Sequence, residues 1–142
     1  MKTETDQLPP SATVKYSAAV YAGDALTSVC LGWVLAPSRR LGLRWLRAQA
    51  YRFADALDPY PPRTRWAPAT LLHPVDLPVP DAPTELRTWA DDDECQDSAL
   101  RTLAAGHRFD FIARDQTCWY GLTAHPLVMQ PLCPRPGALV TA

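Results

Sequence analysis

Lysine and glycine are scarce in this chain of 142 residues, which contains two lysines and six glycines. So few glycines leave no Gly-rich loop that would cradle a phosphate, and neither a P-loop nor a dinucleotide-binding fingerprint occurs. The G-x-S-x-G motif of the α/β-hydrolases is also missing. The sequence therefore carries no complete catalytic motif.

Neither sign of charge is in excess, because 14 basic and 15 acidic residues give a formal net charge of -1. Proteins that coat nucleic acid or anionic membranes are usually far more basic. Arginine greatly outnumbers lysine beside abundant alanine and proline, a bias typical of a GC-rich bacterial genome. The hydrophobic content of 47% and the length favour one ordinary globular domain.

The four cysteines include no C-x-x-C pair, and the first residues lack the pattern of a signal peptide. We therefore expect a reduced, cytoplasmic protein. Cysteines and histidines are numerous enough for zinc, but their spacing matches no familiar zinc site. The set comprises Cys95, His107, Cys118, His125 and Cys133.

Proline is concentrated in one segment, where eight of the 15 prolines fall within residues 59–83. Helix is impossible there and a central strand is unfavourable. We predict a flexible N-terminal arm over 1–12, then one domain over 13–142 that includes this Pro-rich strap. The apolar stretch 13–36 fits a hairpin that turns at Gly23-Asp24, an Ala-rich helix or, less well because Asp24 lies within it, a membrane span.

Two helices are predicted from apolar spacing and capping residues, over 38–58 and 83–91. A strand is predicted over 109–115, where apolar and polar residues alternate. These elements predict an α+β domain with two or three helices on a small mixed sheet, contributed largely by the C-terminal half. The expected core is Leu43, Leu46, Phe53, Leu57, Leu86, Trp89, Phe109, Phe111 and Ile112.

Three arginines, Arg40, Arg44 and Arg47, share one face of the first predicted helix. Most such faces are simply solvated, but guanidinium groups in a row also suit phosphate or an acidic partner. The run Asp91-Asp92-Asp93-Glu94 is interpreted as a solvated loop that ends the second helix. Its consecutive carboxylates diverge and follow no calcium-loop spacing. A further candidate is Asp115 at the end of the predicted strand, where a carboxylate can hold Mg²⁺ or Mn²⁺.

The order of elements over about residues 43–115 resembles the N-terminal primase-polymerase domain of bifunctional primase/polymerase proteins. Tyr51-Arg52-Phe53-Ala54, His73-Pro74, Trp89-Ala90 and Ala99-Leu100-Arg101-Thr102 precede Gly106 and the strand that ends at Asp115. Members of that family carry a D-x-D pair on this strand to bind metal and nucleotide. By position the pair falls on Ala113 and Asp115, so one carboxylate is missing. The resemblance implies an α+β fold and a polymerase site that has lost its chemistry.

The expected function is thus a non-catalytic, cytoplasmic primase-polymerase-like module that binds single-stranded nucleic acid or nucleotide weakly through Arg40, Arg44 and Arg47. The alternative is a protein-interaction or regulatory domain unrelated to replication, which docks a protein partner. An active metal-dependent nucleotidyltransferase, with Asp115 as catalytic residue, ranks third, and a membrane-anchored protein ranks fourth.

Overall fold

The computed structural model describes residues 13–59 and 80–130. Within these ranges the chain forms four strands and three helices. They are β1 (Thr13–Gly23), β2 (Ser28–Ala36), α1 (Arg39–Leu57), α2 (Ala82–Asp91), α3 (Asp93–Ala104), β3 (Phe109–Arg114) and β4 (Trp119–Met129). The predicted α+β class is confirmed. The arm 1–12 and residues 60–79 of the predicted strap lie outside the described residues.

The strands form one sheet in the order β2-β1-β4-β3, and every neighbouring pair is antiparallel. A mixed sheet was expected, but β1–β2 and β3–β4 are hairpins, which join antiparallel strands by short turns. Both halves of the chain contribute two strands. The sheet therefore does not come largely from the C-terminal half.

Residues 13–36 form the β1–β2 hairpin, which decides between the three interpretations of this stretch. The Asp24 carboxylate accepts hydrogen bonds from the backbone N–H groups of Leu26 and Thr27, both at 2.8 Å, and so fixes the turn. The register shifts between Val20 and Tyr21, where β2 contains one extra residue in a β-bulge. None of the helices in the described ranges is long and apolar enough to cross a bilayer.

One continuous strand, β4, covers the first apolar stretch expected after Trp119, Leu127 to Met129, and it passes through Pro126; the second expected stretch, 138–140, lies outside the described residues. The pairing of β3 with β4 stops at Ala124, whereas β1 pairs with β4 as far as Met129. Among the described strands, β4 therefore has a neighbour on one side only at Pro126. Proline is tolerated there because no second strand needs its missing N–H group.

The first helix begins and ends close to its predicted bounds. The Ser38 hydroxyl accepts a hydrogen bond from the Leu41 N–H group at 3.3 Å, as an N-cap does. The last carboxyl groups of α1 are held by Arg87 of α2, which contacts Asp55 at 3.1 Å and Asp58 at 3.2 Å. These contacts hold the C-terminal end of α1 beside α2.

A third helix follows directly where an acidic loop was predicted. Asp92 is both the C-cap of α2 and the N-cap of α3, and its carboxylate accepts from the N–H groups of Glu94 at 2.9 Å and Cys95 at 3.2 Å. The loop prediction was wrong because Asp93 and Glu94 lie in the first turn of α3, where the helix dipole favours negative charge. Gly106, with φ of 82°, then ends α3.

All three helices pack on one face of the sheet, and the core lies between these layers. Ala18 and Val20 on β1 pair with Ala124 and Leu122 on β4, and these four residues are fully or almost fully buried. Alanine dominates this core, which brings the helix and sheet backbones close together. The predicted core residues Leu43, Leu46, Leu86 and Trp89 are buried, and Phe53, Phe109 and Phe111 pack against them.

Two predicted core residues are exposed instead. Leu57 is the last residue of α1 and extends past the sheet. Ile112 alternates with Phe111 and Ala113 along β3, so its side chain lies on the sheet face opposite the helices. Both residues were expected in the core because they are hydrophobic. The position of Leu57 on its helix and of Ile112 on its strand leaves each side chain exposed.

Enlarging a buried alanine should destabilise the fold. Ala124 is fully buried between Ala18 and Phe109 on the neighbouring strands. We expect Ala124→Leu to lower the free energy of unfolding by about 1–3 kcal/mol, because the closely packed layers leave no space for three more carbons. Urea denaturation measures the change. The matched variant Val128→Leu, on the same strand at 65% exposure, should remain within about 0.5 kcal/mol of the wild type; equal stability of both variants would contradict the close packing.

Candidate functional site

Asp115, the candidate metal ligand, holds a helix in place. It directly follows β3, and its carboxylate accepts a hydrogen bond of 2.7 Å from the N–H group of Ala82, the first residue of α2. In the other direction the Glu85 carboxylate in the first turn of α2 accepts a hydrogen bond of 2.9 Å from the Arg114 N–H group. The end of β3 and the start of α2 therefore cap one another.

The position that matches the first carboxylate of the D-x-D pair is Ala113, and it is completely buried. Its methyl group belongs to the core between sheet and helices. Nowhere in residues 13–59 and 80–130 do three His, Cys, Asp or Glu side chains come together as ligands for a metal ion. The described chain thus offers Mg²⁺ or Mn²⁺ a single carboxylate here, and that carboxylate already bonds to a helix.

Arg40 and Arg44 are exposed on α1, as predicted, but Arg47 is partly covered. The Tyr51 hydroxyl donates a hydrogen bond to the Asp91 carboxylate at the end of α2. This bond raises the pKa of Tyr51, and the nearby Arg47 opposes the shift. The Arg47 Nε atom is buried and has no hydrogen-bond partner among the described residues.

Arg47 therefore lies where α1 meets the acidic junction of α2 and α3. There Tyr51 interacts with both Arg47 and the Asp91 carboxylate. Of the three arginines predicted to bind an anion, Arg40 and Arg44 are exposed.

The sheet face opposite the helices carries a diagonal row of aromatic side chains that sequence reasoning missed. Trp33 on β2 lies opposite Ala19, Tyr21 on β1 lies opposite Gly121, and Trp119 on β4 lies opposite Gly23. Each ring is thus the diagonal neighbour of the next, within reach for aromatic side chains. We name Trp33, Tyr21 and Trp119 the aromatic row.

The ring of Trp119 lies against the backbone of two glycines. A Cβ atom on Gly23 would lie 2.6 Å from Cζ2 of Trp119, and one on Gly121 would lie 3.2 Å from Cζ3. The indole N–H group donates to the Asp24 carbonyl oxygen at 3.1 Å. Both glycines therefore leave the space that the ring occupies, and the hydrogen bond fixes its orientation.

Trp33 is the most accessible ring of the aromatic row, at 69% exposure. Among the described residues no helix or strand packs over this face of the sheet. Arg114 on β3 pairs with Trp119 and adds a cation at one end of the row. The only carboxylate that the register places on this face, Asp110, forms an ion pair with Arg108 at 2.9 Å.

A concave part of the surface lies between α2, α3 and the edge of β3. It is an open groove of about 590 Å³ whose lining includes Trp89, Phe109 and Phe111. The ring of Trp89 stacks on both phenylalanines, at centroid distances of 5.9 and 5.4 Å. Glu85 and Asp92 also line the groove and give its rim negative charge.

Cys95 lines the same groove but has the wrong ionisation for a nucleophile. The side-chain interaction of its thiol with the Asp92 carboxylate, together with desolvation and nearby negative charge, raises the pKa of Cys95. Since the thiolate is the reactive form, a raised pKa disfavours the form that a nucleophile needs. The groove thus lacks the activated cysteine that a Cys–His enzyme requires.

Comparison of the chain with protein-family models, with curated proteins and with solved structures found no match. The resemblance to primase-polymerase domains therefore stays a prediction.

The aromatic row had one weak signal in the sequence. Val14, Tyr16, Ala18 and Val20 alternate along β1 and so share one face of the strand. Tyr21 does not follow this alternation, which indicates a large ring on the opposite face. The signal was not decisive, because 13–36 fitted a helix nearly as well. The positions of Trp33 and Trp119 depend on a bulge and on strand pairing across the chain, which no local pattern contains.

Removing the Asp115 carboxylate should weaken the fold. Asp115→Ala leaves the Ala82 N–H group without its acceptor, and loss of such a cap costs about 0.5–2 kcal/mol. Asp115→Asn retains an oxygen acceptor and should unfold close to the wild type in urea. A metal ligand would show a different pattern, in which both variants keep wild-type stability and both lose Mn²⁺ binding.

Protonation of Asp92 should destabilise the junction of α2 and α3. Its hydrogen bonds from the N–H groups of Cys95 and Glu94 lower the pKa of Asp92 in the folded protein. The carboxylate therefore stabilises the fold above the unfolded-state pKa of about 3.9, and this contribution is lost as the pH falls through the lower folded-state value. Thermal midpoints of the wild type should drop more steeply in acid than those of Asp92→Asn. Asp93→Asn is the control, and equal slopes for the wild type and Asp92→Asn would contradict the capping role.

Proposed function

We propose that this protein is a non-catalytic module that binds single-stranded nucleic acid on the helix-free face of its sheet. The aromatic row carries this proposal. Successive bases stack on exposed aromatic rings, and such stacking tolerates any sequence because every base has a π-face. A sheet face lined with aromatic side chains is a recurring platform for single strands.

The distribution of charged residues favours the helix-free face over the helix side as the binding surface. In the described ranges the helices and their caps carry seven arginines against nine acidic residues, a net charge of -2; the acidic residues are Asp55, Asp58, Asp81, Glu85, Asp91, Asp92, Asp93, Glu94 and Asp97. The aromatic row ends instead at the cation Arg114, and Asp110 is neutralised by Arg108. A phosphate backbone would therefore meet less repulsion on the helix-free face than the net charge of -1 suggests.

The hydrogen bond of Asp115 supports the non-catalytic part of this proposal. Asp115 bonds to the start of α2, and Ala113 supplies no second ligand. Phosphoryl transfer by metal ions requires clustered oxygen ligands to hold them. We place the module in the cytoplasm on the sequence argument alone.

Arg40 and Arg44 lie on the helix side, away from the aromatic row, and provide a separate contact for phosphate groups. They were predicted to bind nucleic acid together with Arg47. In this proposal stacking on the aromatic row supplies most of the affinity, and the two exposed arginines add a salt-sensitive contribution.

Fluorescence anisotropy of a labelled single-stranded oligonucleotide tests the proposal at low and moderate salt. We expect saturable binding that Trp33→Ala weakens about five-fold or more, since loss of one stacked base costs about 1–3 kcal/mol. Trp33→Phe retains a ring and should restore most of the affinity, and Val128→Ala serves as the exposed control. No change of affinity is expected on adding Mn²⁺.

Two results would overturn the proposal. One is the absence of binding at low salt, and the other is binding that Trp33→Ala leaves unchanged. If the double variant Arg40→Ala/Arg44→Ala alone abolished binding, the helix side would be the binding surface instead.

A protein-interaction domain is the second candidate, favoured by the groove between α2, α3 and β3. Its stacked apolar lining and acidic rim suit an extended peptide that carries apolar and basic side chains. A protein without nucleic-acid affinity at low salt would favour this function.

A further inference from the structure

The strand β2 is an edge of the sheet as far as the described residues show. Among the described residues it pairs with β1 alone, so the hydrogen-bonding groups along its outer side have no strand partner. Four of its large apolar side chains are exposed: Val29, Leu31, Trp33 and Leu35. Edge strands with this character readily pair with another chain.

The composition of β2 removes the usual barriers to such pairing. Its nine residues, SVCLGWVLA, include no charged side chain and no proline. Natural edge strands commonly carry lysine, proline or inward-pointing charge, which prevent the approach of a second strand. Within the part of the chain that the structure describes, the β-bulge beside Val20 and Tyr21 is the one protective feature of β2.

The opposite edge of the same sheet shows the contrast. β3 has six residues, of which Asp110 and Arg114 are charged. The Arg114 N–H group donates to the Glu85 carboxylate of α2 and is thereby occupied. One edge of the sheet is thus blocked by charge and by a helix, whereas the other is neutral and pairs with no strand in residues 13–59 and 80–130 other than β1.

We propose that two copies of this chain associate through β2, the two edge strands pairing antiparallel about a two-fold axis to form a continuous eight-stranded sheet. A strand that pairs with β2 should be uncharged and apolar on both faces, because an isolated charge would lose solvation against Val29, Leu31, Trp33 and Leu35. β2 itself meets this description. In a two-fold pair no like charges come to lie opposite one another, which is the penalty that a charged edge would suffer.

Sedimentation velocity over a wide range of protein concentration tests this association. We expect the apparent mass to rise toward twice the chain mass of 15.7 kDa. Leu31→Lys places a charge in the middle of β2 and should hold the protein at the mass of one chain. Leu41→Lys is the matched control, because Leu41 lies on α1 and is exposed to a similar extent, 47% against 43%; it should associate like the wild type.

Hydrogen exchange of the β2 amides tests the association in the wild-type protein, without any substitution. Protection that increases with protein concentration supports the proposal. A single-chain mass at every concentration would overturn it, whether the β2 amides exchange rapidly or are protected by another segment of the same chain. An association that Leu31→Lys leaves intact would also overturn it, since a different surface would then hold the copies together.

The association is independent of the proposed function. Leu31→Lys leaves the aromatic row unaltered, so a protein that stays monomeric and still binds single-stranded nucleic acid would overturn this inference alone. A dimer without nucleic-acid affinity would overturn the proposed function alone.

Discussion

The pairing of β1 with β4 is the interaction on which the rest of the structure depends. It joins the two hairpins along eleven residue pairs and is the only strand contact between the N-terminal and C-terminal parts of the described chain. The register of these two strands decides which residues face the helices. The sheet side of the core then consists of Ala18, Val20, Leu122 and Ala124. The rings of Tyr21 and Trp119 lie on the other face of the sheet. A slip of one residue in either strand would exchange the two faces.

Several carboxylates have structural roles in the fold, including two that suggested chemistry in the sequence, Asp115 and Asp92. Asp115 accepts from the first N–H group of α2, Asp92 caps α3, and Asp24 closes the β1–β2 turn. In each case the carboxylate satisfies backbone donors that would otherwise lack a partner. A single carboxylate near a turn or a helix start is therefore better explained by capping than by catalysis. The side chains proposed to bind, Trp33 and Tyr21, are uncharged and belong to no motif.

The sequence was sufficient for the α+β class, for α1 and α2 with their caps, and for β3, because each depends on local spacing of apolar residues and on a capping side chain. It was insufficient for α3, because Asp91 to Glu94 has the composition of a loop and acts as a helix start only beside the preceding helix end. The full length of β4 also escaped prediction. Pro126 is compatible with a strand only where β3 has already ended, which is a property of the sheet and not of the local sequence. The aromatic row depends on the same long-range pairing.

The central strand pair also determines the order in which the molecule can fold. Ala18 and its partner Ala124 lie 106 residues apart in the sequence, so closing this contact requires a large loss of chain entropy before any packing rewards it. At synthesis rates of about 5–20 residues per second, β1 waits roughly 5–20 s for β4 to be made. During that interval both edges of the β1–β2 hairpin are unpaired, and the apolar residues of β2 are exposed beside them. The nascent chain is therefore most prone to aggregation before β4 emerges.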